Sequence, residues 1–173
     1  TSPTANYLRG IVFGNNSFVA VGDSGNIVSS DNGSSFDNVT SPVTTNLYGV
    51  GFGNSTFVAV GDNGTIVRST TDSGSSWDNA TSPTTNNLYG VSFGNNAFVA
   101  VGDNGTIVRS TDNGSTWDNV TSSTSNFIIG VGFGYNTFVA AGTYGNILRS
   151  IDNGSSWDNA TSITANQLRG VGF

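Results

Sequence analysis

The sequence predicts an all-β repeat protein: four units of about 40 residues, each a four-stranded antiparallel meander, followed by one spare first strand. Three observations lead there. Phe13, Phe52, Phe93, Phe133 and Phe173 stand at equivalent points about 40 residues apart, and a fixed period of that length marks a propeller, a solenoid or an array. Short apolar runs alternate with Asn-Gly and Asp-x-Gly clusters, which accept positive φ and are the strongest local signal for hairpins. No segment carries a helical period, and the abundance of Gly, Asn, Ser and Thr disfavours helix.

Taken in order within one copy, the strands fall at 88–93, 97–101, 106–110 and 116–121, with Gly94-Asn95-Asn96, Asp103-Asn104-Gly105 and Asp112-Asn113-Gly114 between them. The strands are apolar on both faces: Tyr89, Val91 and Phe93 point one way and Leu88 the other, and Phe98 alternates with Val99. A sheet with two greasy faces has to be packed between two others, so one copy cannot stand alone. The units are 8–46, 47–87, 88–127 and 128–167 of a single repeat domain, with 168–173 as the extra first strand. The segments 40–46, 81–87, 121–126 and 161–166 are Ser/Thr/Asn-rich surface connections between meanders. The stretches 1–13 and 161–173 share Ala-Asn-x-Leu-Arg-Gly, which the internal copies lack. This hints at a superperiod of four copies, and at a terminal strand that docks on a neighbour or opens a further group.

Composition narrows the function classes. All five basic residues are arginine and all eleven acidic ones aspartate, for a net charge of −6. Such a surface repels nucleic acid and anionic membranes, so neither is an expected partner. No run of eighteen apolar residues is present, so no membrane insertion is expected, and the absence of an initiator methionine suggests a processed chain or a piece of a longer one. A surface of Asn, Ser, Thr and Gly with few long charged side chains points to an extracellular or cell-surface protein. Without histidine, cysteine or glutamate there is no Ser-His-Asp set, no Cys/His metal cluster and no usual proton shuttle. The chain is therefore expected to be no enzyme and to carry no cofactor or metal.

Ser110-Thr111-Asp112-Asn113-Gly114-Ser115-Thr116-Trp117 matches Ser-x-Asp-x-Gly-x-Thr-Trp and resembles the Asp-box (BNR) repeat family. The run from Ser150 to Trp157 has serine for the threonine, Ser29 to Phe36 has phenylalanine for the tryptophan, and Thr70 to Trp77 begins with threonine. The longer phrase from Phe98 to Arg109 looks like the photosystem II assembly-factor-like subgroup of sialidase-type propellers. The resemblance implies a β-propeller with one meander per blade. Known members usually have more than four blades, so an open superhelical stack of the same blades is the alternative. Such repeats occur in hydrolases, assembly factors and binding proteins alike.

Candidate residues follow. Asp31, Asp72, Asp112 and Asp152 have a structural reading, in which each carboxylate accepts bonds from its own turn amides. The Asp-Asn-Gly turns lack the ligand spacing of a calcium loop. Phe36, Trp77, Trp117 and Trp157 are expected to wedge between blades, with sugar stacking as the alternative. Arg68, Arg109 and Arg149 recur at one position and are a possible ligand rim, since sialidases clamp a carboxylate with three arginines. Those enzymes also need a Tyr/Glu pair, however, and this chain has no glutamate. Asn38, Asn79, Asn119 and Asn159 are in-register N-glycosylation acceptors. The function these features favour is a structural or surface-assembly protein that polymerises with itself through strand exchange. A carbohydrate- or protein-binding propeller is the alternative, and a sialidase-like glycosidase the least favoured.

Overall fold

The computed structural model describes residues 3–172, so Phe173, the last of the five period-marking phenylalanines, lies outside the described residues. Sixteen strands form four separate four-stranded antiparallel sheets, or blades. Blade 1 holds β1 (Leu8–Gly14), β2 (Ser17–Gly22), β3 (Ile27–Ser30) and β4 (Asp37–Val39); blade 2 holds β5 (Leu47–Gly53), β6 (Thr56–Gly61), β7 (Ile66–Ser69) and β8 (Trp77–Asn79). Blade 3 holds β9 (Leu88–Gly94), β10 (Ala97–Gly102), β11 (Ile107–Ser110) and β12 (Asp118–Val120); blade 4 holds β13 (Ile128–Gly134), β14 (Thr137–Gly142), β15 (Ile147–Ser150) and β16 (Asp158–Asn159). The all-β, four-meander reading therefore holds.

The turns follow from residues that tolerate the left-handed region. The first hairpin of each blade has two successive positive φ values, as at Asn95 (45°) and Asn96 (60°), the two-residue geometry that matches strand twist. The second connection is one tight 3-10 turn whose middle residue is left-handed, as at Asn104 (54°).

Packing occurs between blades. Val58, Val60 and Ile66 of blade 2 meet Leu88, Phe98, Ala100, Val108 and Trp117 of blade 3 in one buried cluster. The same positions, shifted by one repeat, build the cluster between blades 1 and 2 and that between blades 3 and 4. Strand periodicity is the cause. Along β6, Phe57 and Ala59 face the preceding blade while Val58 and Val60 face the following one, so both faces of an inner blade are dry. Every residue of β6 and of β10 is buried, whereas β2 and β14, in the end blades, are buried only in part.

The first strands line the inside of the array, with β1 on β5, β5 on β9 and β9 on β13. Their spacing is set by glycine. A methyl group placed on Gly49 would lie 2.7 Å from the Tyr89 carbonyl oxygen, and one on Gly90 would lie 3.0 Å from that of Ile129. No comparable packing joins β13 back to β1, and Ile11 on β1 stays 61% exposed, so the four blades form an open arc.

The segment 168–172 sits where the first strand of a further blade would be. There the strand reading needs correcting. The stretch packs on β13 but joins no sheet, because no second strand lies beside it to complete a ladder. The fourth strands are also shorter than expected: β12 starts at Asp118, after Trp117 has turned into the seam.

The glycine contacts predict that Gly49→Ala lowers the unfolding free energy by about 1–3 kcal/mol, by forcing two first strands apart. A methyl on Gly170 meets nothing within 4 Å, so Gly170→Ala should stay within about 0.5 kcal/mol of the parent. Urea denaturation compares the two.

Candidate functional site: the inner groove and the Asp-box turns

Each first strand carries a β-bulge. In β9, Leu88 pairs with Gly102 and Gly90 with Val101, which leaves Tyr89 as the extra residue. Arg9, Tyr48 and Ile129 are the extra residues of β1, β5 and β13. A bulge re-aims its side chain, and these four line one groove of about 590 Å³ together with Phe127, Gln167 and Arg169.

Charge inside the groove is largely paired. The Arg9 guanidinium forms an ion pair with Asp23, and the Tyr48 and Tyr89 hydroxyls donate to Asp62 Oδ1 (2.5 Å) and Asp103 Oδ1 (2.6 Å). Each acidic partner lies fourteen residues after the bulge residue it holds, at the start of the tight turn that follows the second strand. Burial, reinforced by the bond to Asp103, pushes the Tyr89 hydroxyl up to about 12, so it stays a proton donor. Arg9 stacks over the Tyr48 ring at 5.4 Å, and Tyr48 meets Tyr89 at 5.4 Å between centroids. Arg169 is exposed and, among the described residues, has no hydrogen bond or ion pair. The groove thus offers aromatic faces, an apolar patch at Phe127 and Ile129, and one free guanidinium.

The Asp-box turns are structural in their geometry. Asp112 accepts bonds from the Ser110 hydroxyl, the Ser115 and Thr116 amides and the Thr116 hydroxyl. Asp152 is held by Ser150 and Ser156 in the same way. Bonds from the Ser156 hydroxyl and amide bring the Asp152 carboxyl down to about 2. At Asp112 burial works the other way, but the bonds from Thr116 and Ser110 prevail and its pKa is lowered too.

Blades 1 and 2 differ. Among the described residues no hydrogen bond reaches the carboxylate of Asp31 or Asp72. Asn32 Oδ1 accepts from the Ser34 and Ser35 amides, and the Thr71 hydroxyl accepts from the Ser75 amide. The reason is loop length. Ser30, Ser69, Ser110 and Ser150 close the third strands, and the residue two places later holds the turn. That place falls on Asn32, Thr71, Asp112 and Asp152, because the loop is one residue shorter in blade 1 and one longer in blade 2.

The tryptophans lie in the seams between blades. Trp77, Trp117 and Trp157 are buried beside Phe57, Phe98 and Phe138, with each indole Nε1 donating to the carbonyl of its own Asp-box glycine. Phe36, in the end blade, is half-buried. Arg68 and Arg109 point into successive seams: Arg109 Nε donates to Asn153 O (2.6 Å) in the next Asp-box, and Arg68 lies by Gly114. Arg149, at the same place in blade 4, is exposed. The arginines that share one groove are Arg9 and Arg169, neither of which the sequence marked as a site residue; for Arg9 the available signal was the fourteen-residue spacing to Asp23, and for Arg169 the repeated Leu-Arg-Gly. Asn38, Asn79, Asn119 and Asn159 are exposed on the outermost strands, where Asn119 Nδ2 donates to Pro83 O and Asn159 Oδ1 accepts from Ser123.

This architecture is that of a β-propeller, here as a four-blade sector. No family model and no curated protein matches the chain. Among solved structures it is similar to one titled "YCF48 bound to D1 peptide", at 16% identity and a TM-score of 0.74, covering 98% of this chain and 58% of that one. It is also similar to the WD40 repeats of RRP9, at 7% identity and TM-score 0.78, covering 96% of this chain and 54% of that one. The GH74 enzyme of Niastella koreensis matches at 22% and 0.71, over 94% of this chain and 25% of that one. The chain thus spans less than two thirds of the length of each. A peptide-bound protein, a set of WD40 repeats and an enzyme share this fold, so the fold does not select a chemistry.

Two outcomes test the turn geometry. Asp112→Ala should cost about 1–2 kcal/mol through its lost turn bonds, and Asp31→Ala should be close to neutral in thermal unfolding. A carboxyl whose pKa is lower folded than unfolded stabilises fully above the ordinary value near 4. For Asp152 that stabilisation should be lost as pH falls from about 4 towards about 2. Asp112→Asn/Asp152→Asn should therefore flatten the acid side of the melting-temperature profile.

Proposed function

We propose that the chain is a non-enzymatic, extracellular Asp-box-type propeller module whose role is structural: it joins end to end with copies of itself into filaments or arrays. One observation carries this. The two terminal blade faces are the unpaired halves of a core that the molecule uses three times inside. On blade 1, Leu8 is 42% exposed, whereas Leu47, Leu88 and Ile128 at its place are at most 1% exposed. On blade 4, Val139 and Ile147 are only partly buried, whereas Val99 and Ile107 are fully buried. A face of one kind at one end and of the complementary kind at the other makes a heterologous contact, which closes into a ring or runs on as a filament. Strand exchange belongs to the same reading, because 168–170 repeats the Leu-Arg-Gly of β1. The neutral-polar surface supports an extracellular setting, and glycans on Asn38, Asn79, Asn119 and Asn159 would decorate the outer edge of every blade.

Light scattering should show a mass that rises with concentration. Ile147→Asp, which puts a charge on the outward face of blade 4, should hold the chain at monomer mass with an unchanged circular dichroism spectrum. A constant monomer mass for the parent chain would sink the reading.

The groove favours a second reading, as a carbohydrate- or protein-binding module. Its stacked tyrosines and free Arg169 suit a ligand with a flat face and a negative or polar group, and a fold neighbour is titled as bound to a peptide. Glycan and peptide arrays should then return hits that Tyr89→Ala weakens at least tenfold, and an array without hits argues against it.

A further inference from the structure

We propose that the inner surface of β13 is a seat for β1 of a second copy of this chain, and that 168–172 occupies that seat as a stand-in. The inference rests on the end-to-end reading and specifies which surfaces meet and what must move.

The seat repeats a junction already used three times. A methyl on Gly10 would lie 3.1 Å from the Tyr48 carbonyl oxygen, and one on Gly90 would lie 3.0 Å from that of Ile129. On Gly130 it would lie 2.9 Å from Gly170 Cα and 3.3 Å from the Arg169 carbonyl oxygen. One step along, Gly51 meets Val91 and Gly132 meets Val171, with the added carbon 3.1 Å from the Val91 carbonyl oxygen and 3.1 Å from Val171 Cγ1. The segment 168–172 is therefore docked as a first strand, in first-strand register.

It is held far less firmly than a first strand. β5, β9 and β13 each pair along their length with a second strand of their own sheet. By contrast, 168–172 belongs to no sheet, its Leu168 amide donates to Gly142 O (2.9 Å), and its far side is open at Gly170 and Gly172. β1 carries the same Leu-Arg-Gly at 8–10, and the other three copies do not have arginine there. β1 also brings what the stand-in lacks. Leu8, Ile11 and Phe13 are exposed, whereas their counterparts in the other blades are buried or half-buried against the preceding blade. Behind β1 come β2–β4, whose half-buried Phe18 would meet Val139 and Ile147 as Phe138 meets Val99 and Ile107. A single strand leaves that face of blade 4 wet, and a whole blade covers it, so apolar burial favours the incoming copy over the stand-in.

The native chain has no cysteine, so introduced thiols report cleanly. A carbon on Gly132 would lie 3.4 Å from Val171 Cβ, close to disulfide reach. In Gly132→Cys/Val171→Cys, oxidation should pin 168–172 to its seat and abolish the concentration-dependent rise in mass, and reductant should restore it. In a mixture of Gly132→Cys and Ile11→Cys chains, oxidation should give a covalent heterodimer, because Ile11 of the second copy takes the place of Val171. Ile163→Cys, fully exposed elsewhere, is the control for random collision. The seat is overturned if the pinned variant associates like the reduced one, or if Ile11→Cys cross-links no faster than Ile163→Cys. If the parent chain associates while pinning changes nothing, only the seat falls. If the parent stays monomeric at every concentration, the end-to-end reading falls with it.

Discussion

An antiparallel meander that is apolar on both faces cannot leave either face in water, and that constraint governs the whole molecule. Alternation along each strand sends Phe57 and Ala59 to one side and Val58 and Val60 to the other. The core is therefore never inside a blade; it lies in the seam between two. The Asp-box tryptophans complete each seam from the outer side, and their turn glycines press on a valine of the blade before. A methyl on Gly114 would lie 2.9 Å from Val58 Cγ2.

The same constraint explains where the chain is polar. Several hydrogen bonds between blades join turn residues along the rim, while Arg109 donates from β11 to the Asn153 carbonyl oxygen. Asn54 Nδ2 donates to Asn113 Oδ1 at 2.6 Å, and Asn153 Nδ2 donates to Asn95 O at 2.8 Å. Neutral amides bridge the blades without the desolvation that an ion pair in the same place would require. In the inner groove, Asp23, Asp62 and Asp103 hold Arg9, Tyr48 and Tyr89 in place. The groove is thus a product of two local features, a bulge in every first strand and, in the first three blades, an aspartate fourteen places past the bulge residue; blade 4 has Ile129 and Thr143 at those places.

An array made this way has two unlike ends. One presents the side that follows a blade and the other the side that precedes one, and each lacks what the other carries. Nothing in the internal seams distinguishes a covalently linked neighbour from a separate molecule, because the connecting segments lie on the surface and contribute little to the buried clusters. This is the physical basis for reading the chain as a unit of assembly.

The amino-acid sequence by itself determined the all-β character, the four meanders and the two-faced second strands, because hairpin turns and strand alternation are local properties written in Asn, Asp, Gly and the apolar period. It also placed Trp77, Trp117 and Trp157 in the seams. It misplaced Leu88 and Tyr89, because the bulge turns Tyr89 into the inner groove and leaves Leu88 in one seam with Val91 and Phe93. What it did not determine was which residue holds each Asp-box turn, since aligning on Asp31 and Asp72 overlooks a loop one residue short and another one residue long. Only the tertiary structure decided that the arc stays open, that Arg9 and Arg169 share a groove while Arg68 and Arg109 point into separate seams, and that 168–172 rests on β13 without a sheet. These depend on how far each blade turns relative to the last, a sum of small rotations set by glycine contacts between strands about forty residues apart, which no local pattern records.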